Sequence, residues 1–343
     1  MAKPASQNND NNRAELDKSI DAALRPSKWA DYIGQESIKT NLSILIKAAK
    51  ARSETLEHLL FYGPPGLGKT TLAHIIASEM PAQIKVTSGP AIERVGDLAS
   101  LLTNLSPGDV LFIDEVHRLN HAIEEILYPA LESRTINIII GKGPGARSIQ
   151  LELPAFTLIA ATTRTSLMSS PLRSRFSGGT FRLDYYSEPE LQEIMARSAR
   201  ILGIDLENEA AKIIAARSRA TPRIANRLLK RARDWAQVHG QSKITAEVAK
   251  KTLDLLKIDS KGLEETDRKL LSAIIEKFNG GPVGVQTMAA VTSEEQATIE
   301  EIYEPYLLRI GFIERTPRGR VVARAGWEHL GIRQPASQQS AFL

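Results

Sequence analysis

Apolar residues along this chain follow two rhythms, and their order predicts the architecture. Segments of strand length lie near 58–62, 84–87, 109–114, 157–162 and 179–185, and those around 59–62, 110–113 and 158–161 are continuous apolar runs. Runs without polar alternation mark strands covered on both faces, as in a parallel sheet. Segments of helical spacing alternate with them: 37–53, where Leu42, Leu45 and Ile46 share a face, and 71–79. The implied fold class is α/β, a parallel sheet with helices between its strands. At 135–154 two β-rich arms flank a Gly-Lys-Gly-Pro-Gly turn, a hairpin signal. Ile149, Leu151 and Leu153 alternate there with polar residues, so one face seeks apolar contact, on the parent domain or on another protein.

From 188 to 256 the pattern turns helical throughout. Ser187-Glu-Pro-Glu190 is a good helix start, and Pro222 fits the first position of a further helix over 224–235. Past a polar linker at 258–262 come a helix over 267–278, a Gly280-Gly-Pro282 break, two shorter helices and a hairpin around Arg318-Gly-Arg320. Three helices followed by a hairpin suggest a winged helix. The expected organisation is a tail at 1–20, a sheet domain at 21–186, a helical subdomain at 187–257, a winged helix at 262–333 and a tail at 334–343.

Composition adds exclusions. The 343 residues are 42% hydrophobic and 24% charged, ordinary for a soluble chain of two or three domains. There is no cysteine, which rules out disulfides and cysteine-ligated zinc. No apolar stretch reaches the ~18 residues of a membrane span, and the polar N-terminal tail lacks the apolar core of a signal peptide. A cytoplasmic protein is expected. The net charge of +4 permits nucleic-acid binding without demanding it.

The chemistry centres on Gly63-Pro-Pro-Gly-Leu-Gly-Lys69-Thr70-Thr71, which meets the phosphate-loop spacing in full. Small residues let backbone N–H groups turn inward around a polyphosphate. Lys69 supplies a charge to the outer phosphates and Thr70 a hydroxyl to Mg²⁺. About 45 residues on, the run 109–113 ends in Asp114 and Glu115, which puts two carboxylates at the C-terminal edge of a buried strand. Asp114 suits hydrated Mg²⁺, and Glu115 suits the attacking water. The run 157–162 ends in hydroxyls and Arg164, a polar tip able to orient that water. Trp29, Tyr32 and Ile33 form either a wall beside the nucleotide or an ordinary piece of core. Arg173 and Arg175 follow a proline-started turn; such pairs are solvated or, in an oligomeric ATPase, reach a neighbour's phosphate. Arg223 at a helix start faces either nucleotide or solvent.

Charge also sorts the C-terminal unit. Residues 309–333 hold six Lys/Arg against two Asp/Glu, whereas the helix preceding the hairpin carries Glu294, Glu295, Glu300, Glu301 and Glu304. Those acids would repel phosphate, so base reading by that helix is not expected. Arg318 and Arg320 on the wing are the candidates for backbone contact, against the alternative of a plain solvated tip.

Taken together the residues closely resemble the RuvB family, bacterial Holliday-junction branch-migration ATPases of the AAA+ class. The resemblance spans about 25–333 and rests on Arg25-Pro…Tyr32-Ile-Gly-Gln35, the phosphate loop, Gly143-Pro…Ala146-Arg-Ser-Ile149, Ala161-Thr-Thr-Arg164, Thr221-Pro-Arg-Ile-Ala-Asn-Arg-Leu228 and Thr316-Pro-Arg-Gly-Arg320. It implies an AAA+ P-loop domain, a helical lid and a C-terminal winged helix. Lys69 and Thr70 become Walker A, Asp114 and Glu115 Walker B, Thr163 sensor 1, Arg175 a finger acting in trans and Arg223 sensor 2. ATP would be held by Leu24, Arg25, Tyr32, Ile33, Gly66, Leu67, Gly68, Lys69, Thr70, Thr71, Tyr186, Pro222 and Arg223, with Mg²⁺ on Thr70 and, through water, Asp114. The family further implies a homo-hexameric ring on duplex DNA at Holliday junctions, with Arg315, Arg318 and Arg320 on the DNA. It also implies a RuvA-like junction-binding partner docked at Ile149 and Leu151, and a RuvC-like resolvase. Ala220 stands where a glycine is usual, and Ser177-Gly178, Glu132-Ser-Arg-Thr135 and Lys142 also depart from the pattern. Two rivals remain. Clamp loaders and initiators lack this hairpin combined with an Arg-Gly-Arg wing, and a nucleotide-switched DNA-binding regulator has no need of Glu115, Thr163 and Arg175 together.

Overall fold

The computed structural model describes residues 20–140 and 147–335, so the expected turn at 141–146, Lys142 with it, and most of both tails lie outside the described residues. The chain divides into two compact units, Met1–Tyr185 and Tyr186–Leu343.

The first unit is built on a five-stranded sheet: β1 (Leu59–Tyr62), β2 (Ile84–Ser88), β3 (Val110–Asp114), β6 (Thr157–Thr162) and β7 (Gly179–Arg182). The order is β2-β3-β6-β1-β7, and every neighbouring pair is parallel. Burial follows position. All six residues of β6 are buried, and four of five in β3, whereas the edge strands β2 and β7 alternate or stay half-exposed. Successive side chains leave a strand on opposite faces. Leu60, Leu111, Ile113, Leu158 and Ala160 accordingly share one core with the helices Val95–Thr103 and His121–Glu132. Register then fixes the site. Tyr62 pairs with Thr162, and Ile113 with Ala160, so the loops leaving β1, β3 and β6 emerge side by side at the C-terminal edge.

The hairpin forms as predicted, β4 (Thr135–Ile140) against β5 (Arg147–Glu152), antiparallel. Its apolar residues divide: Ile136 and Leu153 are buried in the core just described and Leu151 packs against it, while Ile149 is exposed.

The second unit begins with the helices Glu188–Ile201, Asn208–Ala216, Pro222–Val238 and Ala246–Leu255. The first is capped reciprocally: Ser187 Oγ accepts from Glu190 N–H, and Glu190 accepts from Ser187 N–H at 2.7 Å. The reading of uninterrupted helix misses one element, a parallel pair of two-residue strands, β8 (Asp205–Leu206) and β9 (Lys243–Ile244). Two residues are too short for any periodicity to register. A second core then gathers the helices Glu265–Phe278 and Val285–Thr292, the segment 296–309, and an antiparallel wing of β10 (Ile313–Thr316) and β11 (Gly319–Val322). Three helical segments and a wing are the expected winged helix.

Candidate nucleotide site, finger and wing

The phosphate loop needs its glycines. Gly63 has φ +138°, and a Cβ there would lie 2.6 Å from the Leu183 carbonyl oxygen; at Gly68, φ +99°, it would meet Tyr32 Oη at 3.2 Å. Larger residues would strain the backbone and push the loop away from its neighbours. The helix Lys69–Glu79 starts directly after it and turns its N-terminal N–H groups toward the loop. Lys69 is buried, and its ammonium donates to the Gly63 and Pro64 carbonyls at 2.8 and 3.0 Å. The loop therefore folds around its own cation, and backbone carbonyls hold the charge that a polyphosphate would meet. Leu24, Tyr32 and Leu67 are buried beside the exposed Arg25 and the half-buried Ile33, Gly66, Thr70 and Thr71. Tyr32 thus belongs to the wall of the loop as well as to the core.

At the tip of β3, Asp114 accepts from Glu115 N–H at 3.0 Å. Glu115 is itself left-handed, φ 48°, which turns its carboxylate back toward β6. There it accepts from Thr163 N–H at 3.2 Å and Thr163 Oγ1–H at 3.1 Å, and lies 3.2 Å from His117 Nδ1. His117 is buried and also 2.9 Å from Thr162 Oγ1. Burial pushes the Glu115 carboxyl up, but the hydrogen bonds from His117 and Thr163 outweigh it and the net direction is down. The acid is ionised at neutral pH and held by the residue expected to be the sensor. Sequence reasoning missed His117; the only signal was a histidine three positions after the aspartate.

Arg175 lies elsewhere. Its guanidinium carbon sits 4.5 Å from the Tyr128 ring centroid, Nη2 pairs with Glu132 at 2.9 Å, and Nη1 donates to the Pro171 carbonyl. Arg173, by contrast, is exposed. A cavity of 540 Å³ opens beside Arg175, lined among others by His58, Glu132 and Phe156. No phosphate-loop residue lines it. The chemistry sits instead at the loop, because that is where the lysine, the acids and the hydroxyls are.

In the second unit Tyr186 is buried, and its N–H donates to the Ala220 carbonyl at 3.0 Å, next to Pro222 and the exposed Arg223. Arg219 and Ala220 are both left-handed, φ 50° and 54°. A glycine would adopt that conformation freely at 220; alanine holds it at a cost of ~1–2 kcal/mol.

The wing shows the clearest departure from charge counting. Glu304 does not face outward: it is 1% exposed, and Arg320 grips it bidentately at 3.0 and 3.0 Å while Arg315 pairs with the same carboxylate. Burial pushes Glu304 up, but the two guanidiniums bring it below its ordinary value. Arg315 and Arg320 thus hold the wing to the preceding helix, and Arg318 is the exposed arginine at the tip.

A parallel sheet that brings a glycine loop, an Asp-Glu tip and a hydroxyl tip to adjacent central strands, followed by a helical bundle and a winged helix, defines a P-loop ATPase of the AAA+ class. Comparison narrows this. Residues 24–183 match the family described as the Holliday junction DNA helicase RuvB P-loop domain, 186–259 the RuvB AAA lid domain, and 260–331 the RuvB C-terminal winged helix domain. The chain belongs to the RuvB family. It is 58% identical over 316 residues to the Holliday junction branch migration complex subunit RuvB of Dehalococcoides mccartyi, covering 92% of this chain and 90% of that one. The same subunit of Chloroflexus aggregans is 57% identical, with 93% and 91% covered. Among solved structures, the Thermotoga maritima RuvB Holliday junction branch migration motor superposes with a TM-score of 0.84 at 50% identity, over 91% of this chain and 100% of that one.

Proposed function

We propose that the chain is an ATP-driven motor that moves Holliday junctions along duplex DNA in homologous recombination and repair. The observation that carries this is the convergence of Lys69, Asp114–Glu115 and Thr163 at one sheet edge, in a member of this family. Lys69 stabilises charge developing on the outer phosphates, as a buried ammonium in a water-poor loop does well. The Thr70 hydroxyl and, through water, the Asp114 carboxylate are the donors for Mg²⁺, which supplies further charge neutralisation on the phosphates. Glu115, kept ionised by its hydrogen bonds, polarises the attacking water, and Thr163 fixes its direction. Leu24, Arg25, Tyr32, Ile33 and Gly66–Thr71 bind the nucleotide, and Tyr186, Pro222 and Arg223 complete the proposed ATP-binding set.

The subunits work as a homo-hexameric ring in which Arg175 serves the neighbour's site. Arg318 contacts DNA backbone without reading sequence, on a wing held in place by Arg315 and Arg320. Ile149 and Leu151 dock a RuvA-like junction-binding protein; the exposed Ile149 offers the contact, and Leu151 anchors the hairpin that presents it. A RuvC-like resolvase acts on the same junctions. No helix among the described residues is long and apolar enough to cross a membrane, which fits a cytoplasmic motor. Titrating Arg175→Ala subunits into wild-type rings tests the composite site: ATPase activity is expected to fall faster than the wild-type fraction, and a strictly proportional fall would refute the trans role.

A further inference from the structure

The helix His121–Glu132 presents Glu124, Tyr128 and Glu132 one turn apart on a single face. Glu124 is buried, and the Tyr128 hydroxyl donates to its carboxylate at 3.0 Å. Ser169, 2.9 Å from the same phenol oxygen, then donates to it, and Ser169 Oγ accepts from Leu172 N–H at 3.3 Å, capping the turn that leads to Arg175. The ring is thereby pinned at its far end to the segment that carries the arginine. Over its face lies the Arg175 guanidinium. A ring face attracts a cation without occupying its N–H groups. Glu132 acts differently, since its carboxylate takes the same kind of hydrogen bond that a phosphate would take. Its side chain is 60% exposed, so the pair is weak and readily surrendered.

We propose that Tyr128 is a positioning residue for Arg175: its ring is the platform that aims the guanidinium at the neighbouring subunit's phosphate, and Glu132 is the resting counter-ion that this phosphate displaces. The proposal rests on the trans role of Arg175 given above. It also separates Arg175 from Arg173, which is exposed and, among the described contacts, has no ring beneath it.

The test uses full-length mixed rings on duplex DNA. Wild-type subunits are combined with subunits carrying Glu115→Gln, whose own sites are silent, so a second substitution in the silent subunit is read only in its wild-type neighbour. Tyr128→Leu placed there is expected to lower kcat roughly two- to thirty-fold, the worth of a cation–π contact, with the KM for ATP unchanged. Tyr128→Phe, which keeps the ring, retains most of the activity, and Glu132→Gln holds or raises it. Tyr128→Leu added to Arg175→Ala causes no further loss, whereas a merely structural role would add. Tyr128→Met gives the same reading should Tyr128→Leu not assemble. An unchanged kcat for Tyr128→Leu beside a large loss for Arg175→Ala overturns the platform and leaves the trans role standing. No loss for Arg175→Ala overturns the trans role and the platform with it. A loss for Glu132→Gln as large as that for Tyr128→Leu overturns the exchange.

Discussion

Asp267→Ala is expected to be among the most damaging single changes in the second unit. Asp267 is 0% exposed and pairs at 2.9 Å with Arg219, whose side chain is 7% exposed and whose guanidinium lies 4.5 Å from the Tyr306 ring centroid. Its other carboxylate oxygen accepts from Glu264 N–H at 2.8 Å and caps the helix Glu265–Phe278. Removing it strands a buried guanidinium, which costs about 3–5 kcal/mol, and deletes a cap contact worth ~1 kcal/mol. A loss of about 4–6 kcal/mol is large against a typical total of roughly 5–15 kcal/mol. Burial pushes the Asp267 carboxyl up even with Arg219 beside it, so the pair gains little over apolar packing. The double change Arg219→Met/Asp267→Leu should therefore be milder than Asp267→Ala alone. Urea unfolding followed by tryptophan fluorescence reads this directly, since Trp327 is buried in the winged-helix core. A loss below about 1 kcal/mol for the single change, or a double change at least as damaging as Asp267→Ala alone, would refute the reasoning.

Three further outcomes follow from the geometry. Arg318→Ala should weaken duplex binding about equally for all sequences and reduce the salt slope by about one, leaving the melting temperature unchanged. Arg320→Ala should lower the melting temperature because it leaves Glu304 buried with only Arg315; anisotropy titrations at several salt concentrations, with thermal melts, separate the two. His58 Nδ1 accepts from Leu158 N–H at 2.9 Å, so Nε2–H faces the Leu131 carbonyl and the ring is neutral. Burial lowers its pKa below the usual 6.5. As pH falls below that value the unfolded chain takes up a proton that the folded one refuses, and stability drops by up to ~1.4 kcal/mol per pH unit. His58→Gln should flatten stability below pH 6.5, and an unaltered profile counts against a neutral buried ring.

Much of this was legible in advance because the central strands are continuous apolar runs and the phosphate loop has a rigid spacing. β1, β3 and β6 stand where the runs end, so Lys69, Glu115 and Thr163 converge once the strands pair in parallel. What escaped depends on contacts that neither periodicity nor motif spacing reports. His117 meets Glu115 only through a left-handed turn, and Tyr128 meets Arg175 across 47 residues. Glu304 counted as a surface acid until Arg315 and Arg320, 11 and 16 residues on, folded over it. Charge totals assume that every charged residue is solvated and unpaired, whereas Glu304 is buried and both arginines are paired with it. The paired strands β8 and β9 escaped for a different reason, since each is only two residues long.

The measurement closest to the central claim is strand separation of a synthetic four-way junction by the full-length protein with ATP, Mg²⁺ and a RuvA-like partner. The account predicts ATP-dependent dissociation that the partner stimulates, and its complete loss in Glu115→Gln although that variant still binds ATP. Dissociation by Glu115→Gln at the wild-type rate, or none by the wild-type protein with all components present, would contradict it.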